Sequence, residues 1–189
     1  MVGTNGRRPL SALALSALAA VSFCATASAG SSTQLLYQKG PITIPDGQSR
    51  AAMTFVVTSA PAGQTVFDPK PNFRVRHPRT SDLKLSIRGP NGATRTMSNG
   101  DTKGNHLGSG QCQADYDDSV GYTGFSAEST SSLADDSAPY AGYFEPRRSL
   151  SPLIGIEPEG TWKVIVEDDR DGKRGKLLCG LIVLELKTP

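Results

Sequence analysis

Histidine, cysteine and aromatic residues are all scarce in this chain of 189 residues. It holds two histidines, three cysteines, one tryptophan and 6% aromatic residues. No Cys/His set with zinc spacing occurs among so few candidates. There is no internal repeat and no amphipathic helical pattern of any length, so hydrophobic residues must be organised by strands. No run of basic residues interleaved with aromatics is present, which argues against a nucleic-acid partner. The most apolar run outside the N-terminus, Leu177 to Leu186, is far too short to cross a bilayer as a helix.

The N-terminus reads as an export signal. Arg7 and Arg8 precede an apolar run from Leu10 to about Val21, and Ala27-Ser28-Ala29 supplies the small-residue cleavage pattern. Residues 1–29 are therefore expected to be a signal peptide, predicting a secreted, extracellular protein with no membrane attachment after cleavage. The formal charge is +2, and the signal removes Arg7 and Arg8 but no carboxylate, so the mature chain is neutral. About 160 residues remain, enough for one domain with a substantial core. Cys24 leaves with the signal. In an exported protein Cys112 and Cys179 most simply form one disulfide, the alternative being two separate buried thiols.

Pro158 to Leu186 is the best-specified stretch. Trp162, Val164 and Val166 alternate with Lys163, Ile165 and Glu167, which puts one apolar row on one side of a strand. Leu177 to Leu186 is apolar on both parities, as expected for a strand inside a sheet or covered on both faces. Asp168 to Gly175 joins them as a turn rich in carboxylates and glycine. Upstream, Met53, Phe55 and Val57 form an apolar row, as do Leu83, Leu85 and Ile87. Phe73, Val75 and His77 share one parity while Arg74 and Arg76 take the other, so His77 points with the apolar side. Ile42 and Ile44 alternate before the turn Pro45-Asp46-Gly47, and Ala93 to Ser98 follows the turn Gly89 to Gly92 as a return strand. Residues 30–40 read as a flexible polar leader and residues 99–111 as loop. Cys112 to Tyr116 reads as a short strand, and Ser149 to Ile156 as a further strand or extended segment. Residues 119–146 show no sustained period, which implies a packed excursion or a functional loop. Many short strands between Gly/Pro turns predict an all-β antiparallel sandwich.

Several motifs then coincide. Val75-Arg76-His77-Pro78-Arg79-Thr80-Ser81-Asp82-Leu83, with Leu85, Ile87 and Gly89-Pro90-Asn91-Gly92, resembles the His, Asp-Leu and Pro-x-Gly segment of the P domain (Homo B domain) of kexin-like and bacterial subtilisin-type proteases. Tyr116-Asp117-Asp118-Ser119 is similar to that family's aromatic-Asp-Asp-Ser stretch. Gly160-Thr161-Trp162 with Val164, Val166, Asp168 and Gly175 is similar to its Gly-Thr-Trp, Asp and Gly ending, and Ile44-Pro45-Asp46-Gly47 to its opening. The motifs fall in the family's order over about residues 40–187. The resemblance implies a jelly-roll-type β-sandwich of about eight strands across residues 41–189. Two departures stand out: Gly180 replaces a Trp frequent on the family's final strand, and the usual catalytic domain is missing from this sequence.

A peptidase reading finds little support. His106 lies in a glycine-rich loop without a nucleophile elbow, Gly108-Ser109-Gly110 is too short a match, and His77 corresponds to a structural histidine of the family. No catalytic or cofactor-binding residue is therefore expected, and proteolysis would belong to a partner. Carboxylates cluster at Asp115-Asp117-Asp118, Asp135-Asp136 and Glu167-Asp168-Asp169-Asp171. Treating Glu167 as position 1 of an EF-hand leaves Leu178 where a bidentate Glu is needed. Because some members of the family bind calcium, the resemblance implies a calcium site near Asp82, Asp117, Asp118 or Asp168, with Asp169 and Asp171 facing solvent. The leading functional expectation is a secreted, non-catalytic stabilising or docking module whose partner is an extracellular serine protease or another secreted protein. The alternative is a carbohydrate-binding or other ligand-binding jelly roll, with Tyr122, Phe125, Tyr140, Tyr143 and Phe144 as its only candidate aromatic platform.

Overall fold

The computed structural model describes residues 30–114 and 121–189. The expected signal peptide and the Tyr116-Asp117-Asp118-Ser119 motif lie outside the described residues. Nine strands are described: β1 (Ser31–Ile44), β2 (Ser49–Val57), β3 (Thr65–Arg76), β4 (Leu83–Arg88), β5 (Thr94–Asn99), β6 (Thr123–Phe125), β7 (Gly142–Phe144), β8 (Gly160–Asp168) and β9 (Gly175–Lys187). They form a five-stranded sheet, β1-β9-β3-β6-β7, facing a four-stranded sheet, β2-β8-β4-β5. The expected all-β sandwich is thus present. Its pairing is antiparallel except between β6 and β7, which run parallel. Their connection, residues 126–141, is long enough for the crossover a parallel pair requires. No helix among the described residues is long and apolar enough to cross a membrane.

β9 explains the arrangement. It lies between β1 and β3 and hydrogen-bonds to both, from Ile44 and Arg76 at one end to Ser31 and Thr65 at the other. Both of its parities are apolar because both of its faces are covered. Ile182, Leu184 and Leu186 enter the core between the sheets, while Cys179, Leu181 and Val183 are buried on the opposite face. Leu177 joins the main core, so the phase changes at Leu178, where the registers with both neighbouring strands also shift. A bulge produces this switch by inserting one unpaired residue. Gly180 faces the opposite sheet, and a Cβ there would stand 2.8 Å from Val164 Cγ2 and 3.2 Å from Met53 Sδ. The sheets approach too closely at that point for a side chain as large as Trp.

The apolar rows read from the sequence do line the core. Met53, Phe55, Val57, Leu83, Leu85, Ile87, Trp162, Val164 and Val166 are all buried. Residues 30–40, in contrast, are not a flexible leader: they form most of β1. Apart from Leu35, Leu36 and Tyr37 their side chains are polar or glycine, and none of these residues is fully buried, so periodicity carries little signal. Their backbone nevertheless completes the hydrogen bonding of β9 along its whole length, which an interior strand needs. The segment around Cys112 also differs from expectation, since residues 111–114 form no strand. Ser149 to Ile156 contains a 3-10 turn at Ser151–Leu153, with Pro152 in its first positions. Proline supplies a turn-compatible φ and lacks the donor an interior strand would use.

The excursion over residues 119–146 is packed. Phe125, Leu133, Tyr140 and Phe144 enter the main core, and Phe125 meets Phe73 edge-on with centroids 6.1 Å apart. Ser126 Oγ donates to the buried Asp68 Oδ2 at 2.7 Å, fixing the start of the crossover. The outer face of β9 is covered by Tyr122 and by the disulfide Cys112–Cys179, whose Cα atoms are 6.0 Å apart. A loop of this span contributes about 4 kcal/mol in the chain-entropy description.

Burial raises the Tyr122 phenol above its ordinary value, opposed by its backbone hydrogen bond with Gln113 and reinforced by Tyr37. The unfolded chain ionises its tyrosines first, near pH 10. The stability Tyr122 contributes is therefore complete below about pH 10 and is lost as pH rises through the folded value. Urea unfolding between pH 9 and 11.5 should show a fall in stability that Tyr122→Phe makes shallower; identical pH profiles for the two proteins would disprove the assignment.

Candidate functional site

The family-like motifs from the two halves of the chain meet at one end of the sandwich. Pro78 follows the end of β3, and the chain turns through a 3-10 turn at Thr80–Asp82 into β4. β8 lies between β2 and β4, with Asp168 opposite Ser49 on one side and Leu83 on the other. This pairing brings His77, Asp82 and Asp168 together, and all three are essentially inaccessible to solvent.

His77 is held at both ring nitrogens. Nε2 lies 3.2 Å from Asp168 Oδ2. Nδ1 lies 3.1 Å from the Arg79 amide nitrogen and 2.6 Å from the Arg79 carbonyl oxygen. Asp168 Oδ1 accepts from the Arg170 amide at 3.1 Å, and its backbone carbonyl accepts from Gln48 N at 2.6 Å. Gly175 permits the close packing of β9 against this ring: a Cβ would stand 2.5 Å from His77 Cδ2 and 2.9 Å from Arg76 O.

Asp82 differs from Asp168. Its carbonyl accepts from the Asp169 amide at 2.8 Å, but neither carboxylate oxygen has a hydrogen-bond partner. Arg79 Nη1 is 3.7 Å from Oδ2 and Arg170 Nε is 3.9 Å from Oδ1, both reaching in from exposed positions. Of the four carboxylates expected to bind calcium, the structure brings Asp82 and Asp168 to one place, whereas Asp117 and Asp118 lie outside the described residues. The described donors do not by themselves fit calcium, which takes six to eight oxygens: Asp168 is committed to His77 and the turn, and Asp82 faces two guanidinium groups. No group of three or more His, Cys, Asp or Glu side chains suited to a metal occurs among the described residues. Asp169 and Asp171 are exposed, as expected.

The aromatic residues considered for a sugar platform do not form one. Tyr122, Phe125, Tyr140 and Phe144 are buried. Tyr140 hydrogen-bonds through its hydroxyl to the Lys103 backbone, accepting from the amide at 2.6 Å. Tyr143 is half-buried beneath the Lys70 ammonium, 5.8 Å from its ring centroid. These side chains stabilise the excursion they belong to.

Sequence reasoning assigned no role to Arg74. Parity placed it opposite Phe73, yet it is only 7% exposed because residues from the loops after β5 and β6 cover that face. Burial lowers its pKa, a trend opposed by Tyr122 and Tyr37. The available clue was an arginine in a strand destined for the sheet interior.

No protein-family model matches the chain, and no curated protein matches it. Among solved structures, the Aeromonas sobria serine protease in complex with a chaperone aligns with a TM-score of 0.47 and 16% identity, covering 84% of this chain and 27% of that one. The same protease crystallised as the serine protease of Aeromonas sobria gives 0.45 and 15%, covering 82% and 27%. The chain thus spans about a quarter of the length of these proteases, and likeness at this level carries no assignment of activity.

Removing one member of the buried His77–Asp168 pair leaves the other without its partner. Losses of this kind cost about 3–5 kcal/mol. Asp168→Ala and His77→Ala should each reduce unfolding free energy by that order, with the double variant less destabilised than the sum. Additive losses in a double-mutant cycle would show that the two side chains are not coupled.

Proposed function

We propose that this chain is an exported, non-catalytic P-type β-sandwich that stabilises or docks onto another protein, with an extracellular serine protease as the partner class. The observation that carries the reading is the buried His77–Asp168 pair, which joins the Val75–Leu83 motif to the Gly160–Asp168 motif. A histidine with both ring nitrogens engaged and no solvent access is suited to holding two strands together, not to exchanging protons with a substrate. The ordered motifs support this proposal; the solved-structure likeness does not enter it. Secretion rests on the signal-like residues 1–29 and agrees with a disulfide between Cys112 and Cys179.

Two measurements test the proposal. Purified mature protein should leave a broad peptide panel uncleaved, while adding it to an exported serine protease from the same source should raise that protease's unfolding midpoint or lengthen its half-life. Cleavage by the purified chain, abolished by substitution within the chain itself, would overturn the non-catalytic reading. Absence of any effect on every exported serine protease tested would overturn the partner assignment.

One observation favours a calcium-supported version of the same module. Neither buried carboxylate oxygen of Asp82 accepts a hydrogen bond, and the Arg79 and Arg170 guanidiniums stand off at 3.7 and 3.9 Å, so a cation would compete with them for this carboxylate. Under this proposal, calcium raises the unfolding midpoint by several degrees, a chelator reverses the change, and Asp82→Asn abolishes it. An unchanged midpoint at saturating calcium would leave Asp82 as the carboxylate between Arg79 and Arg170 only.

A further inference from the structure

A second site lies beside β3, formed by residues that neither the core nor the His77–Asp168 pair uses. Arg74, Arg76, His106, Ser109, Pro139 and Leu178 line a cleft of about 310 Å³. The loop carrying His106 is clipped to β3 by reciprocal backbone hydrogen bonds between Val75 and Leu107, both 2.9 Å. Gly108 N donates to Pro139 O at 2.5 Å, which closes the opposite wall. These bonds hold His106 at φ 60°, a left-handed conformation uncommon for a residue with a side chain and found disproportionately at ligand sites.

The polar chemistry of the cleft is one-sided. Arg74 is buried, with 7% of its surface exposed, and its Nε is an interior donor with no acceptor. His106 Nδ1 is also buried without a partner. The ion pairs among the described residues leave both Arg74 and Arg76 unmatched. A cation removed from water without a counter-charge is costly, and a buried donor without an acceptor adds to that cost. Both costs are relieved by one anion. Leu178 and Pro139 supply an apolar wall, so an inorganic ion would leave much of the cleft unfilled. Carboxylate recognition suits the guanidinium groups, whose paired donors match its two oxygens.

The geometry points to a binding site for a carboxylate carried on a small apolar body, with Arg74 and Arg76 receiving the carboxylate, His106 adding a polar contact and Leu178 and Pro139 covering the apolar part. Both the C-terminus of a peptide ending in an aliphatic residue and a free branched acid have this chemistry. The site is distinct from the motif pair and does not depend on the protease reading.

Calorimetry with N-acetyl-leucine, N-acetyl-leucinamide and 4-methylpentanoate tests the inference. N-acetyl-leucine should bind, and the amide, which keeps the shape but loses the charge, should bind at least about tenfold more weakly. Equal affinity for 4-methylpentanoate identifies a free acid as sufficient; a preference for N-acetyl-leucine identifies a peptide terminus. Arg76→Gln, at an exposed position, should weaken binding about tenfold while leaving the unfolding midpoint unchanged, and His106→Ala should weaken it further. Arg74→Gln is informative when folded, and the Arg76 variant keeps the test valid when it is not. Failure of both acids to bind, or equal binding of acid and amide, overturns the site.

Discussion

The structure depends on a single strand having partners on both edges and apolar cover on both faces. β9 contributes hydrogen bonds to β1 and β3, one row of side chains to the space between the sheets, and a second row to the covered outer face. Its backbone groups would be costly to leave unpaired in that position. This requirement turns the polar N-terminal segment into a long strand. It also makes the outer covering, with Tyr122 and the Cys112–Cys179 bridge, part of the fold and not an ornament on it. The bulge at Leu178 allows the strand to serve both layers by changing which residues point inward.

A related constraint operates at the end of the sandwich. His77 follows the strand that pairs with β9, whereas Asp168 closes the strand at the centre of the opposite sheet. Their hydrogen bond links one sheet to the other where the apolar packing runs out, and Gly175 lets β9 begin directly against the ring. Buried ionisable pairs gain little net stability but are costly to break. Here the pair's geometric effect is specific: it fixes the two motif segments relative to each other. The nearby Asp82 lacks such a partner, so two carboxylates in neighbouring positions have different chemistry.

Much of the architecture was legible in alternation. The rows containing Met53, Leu85 and Val164 were readable because each has one buried and one more polar side, and Leu177–Leu186 because both of its sides are apolar. β1 was not readable because its stabilisation comes from backbone pairing with a distant strand and its side chains are mostly polar. The short pair β6 and β7 was hidden for a related reason: three residues in each strand are too few to establish a period, and their aromatic side chains gain their environment from Phe73 and the rest of the core. The expected strand around Cys112 was a local reading of a segment held instead by the disulfide and by Tyr122.

Sequence by itself determined the all-β class, the apolar rows, the inward parity of His77 and the eligibility of Cys112 and Cys179 for pairing, because these follow from side-chain period and residue chemistry. Tertiary structure alone decided which carboxylates meet, that Arg74 is buried, and that His106 is held beside it. Those outcomes depend on contacts between strands and loops far apart in the chain. Alternation specifies which side a residue takes; only the assembled sheets and their covering loops decide what it finds there.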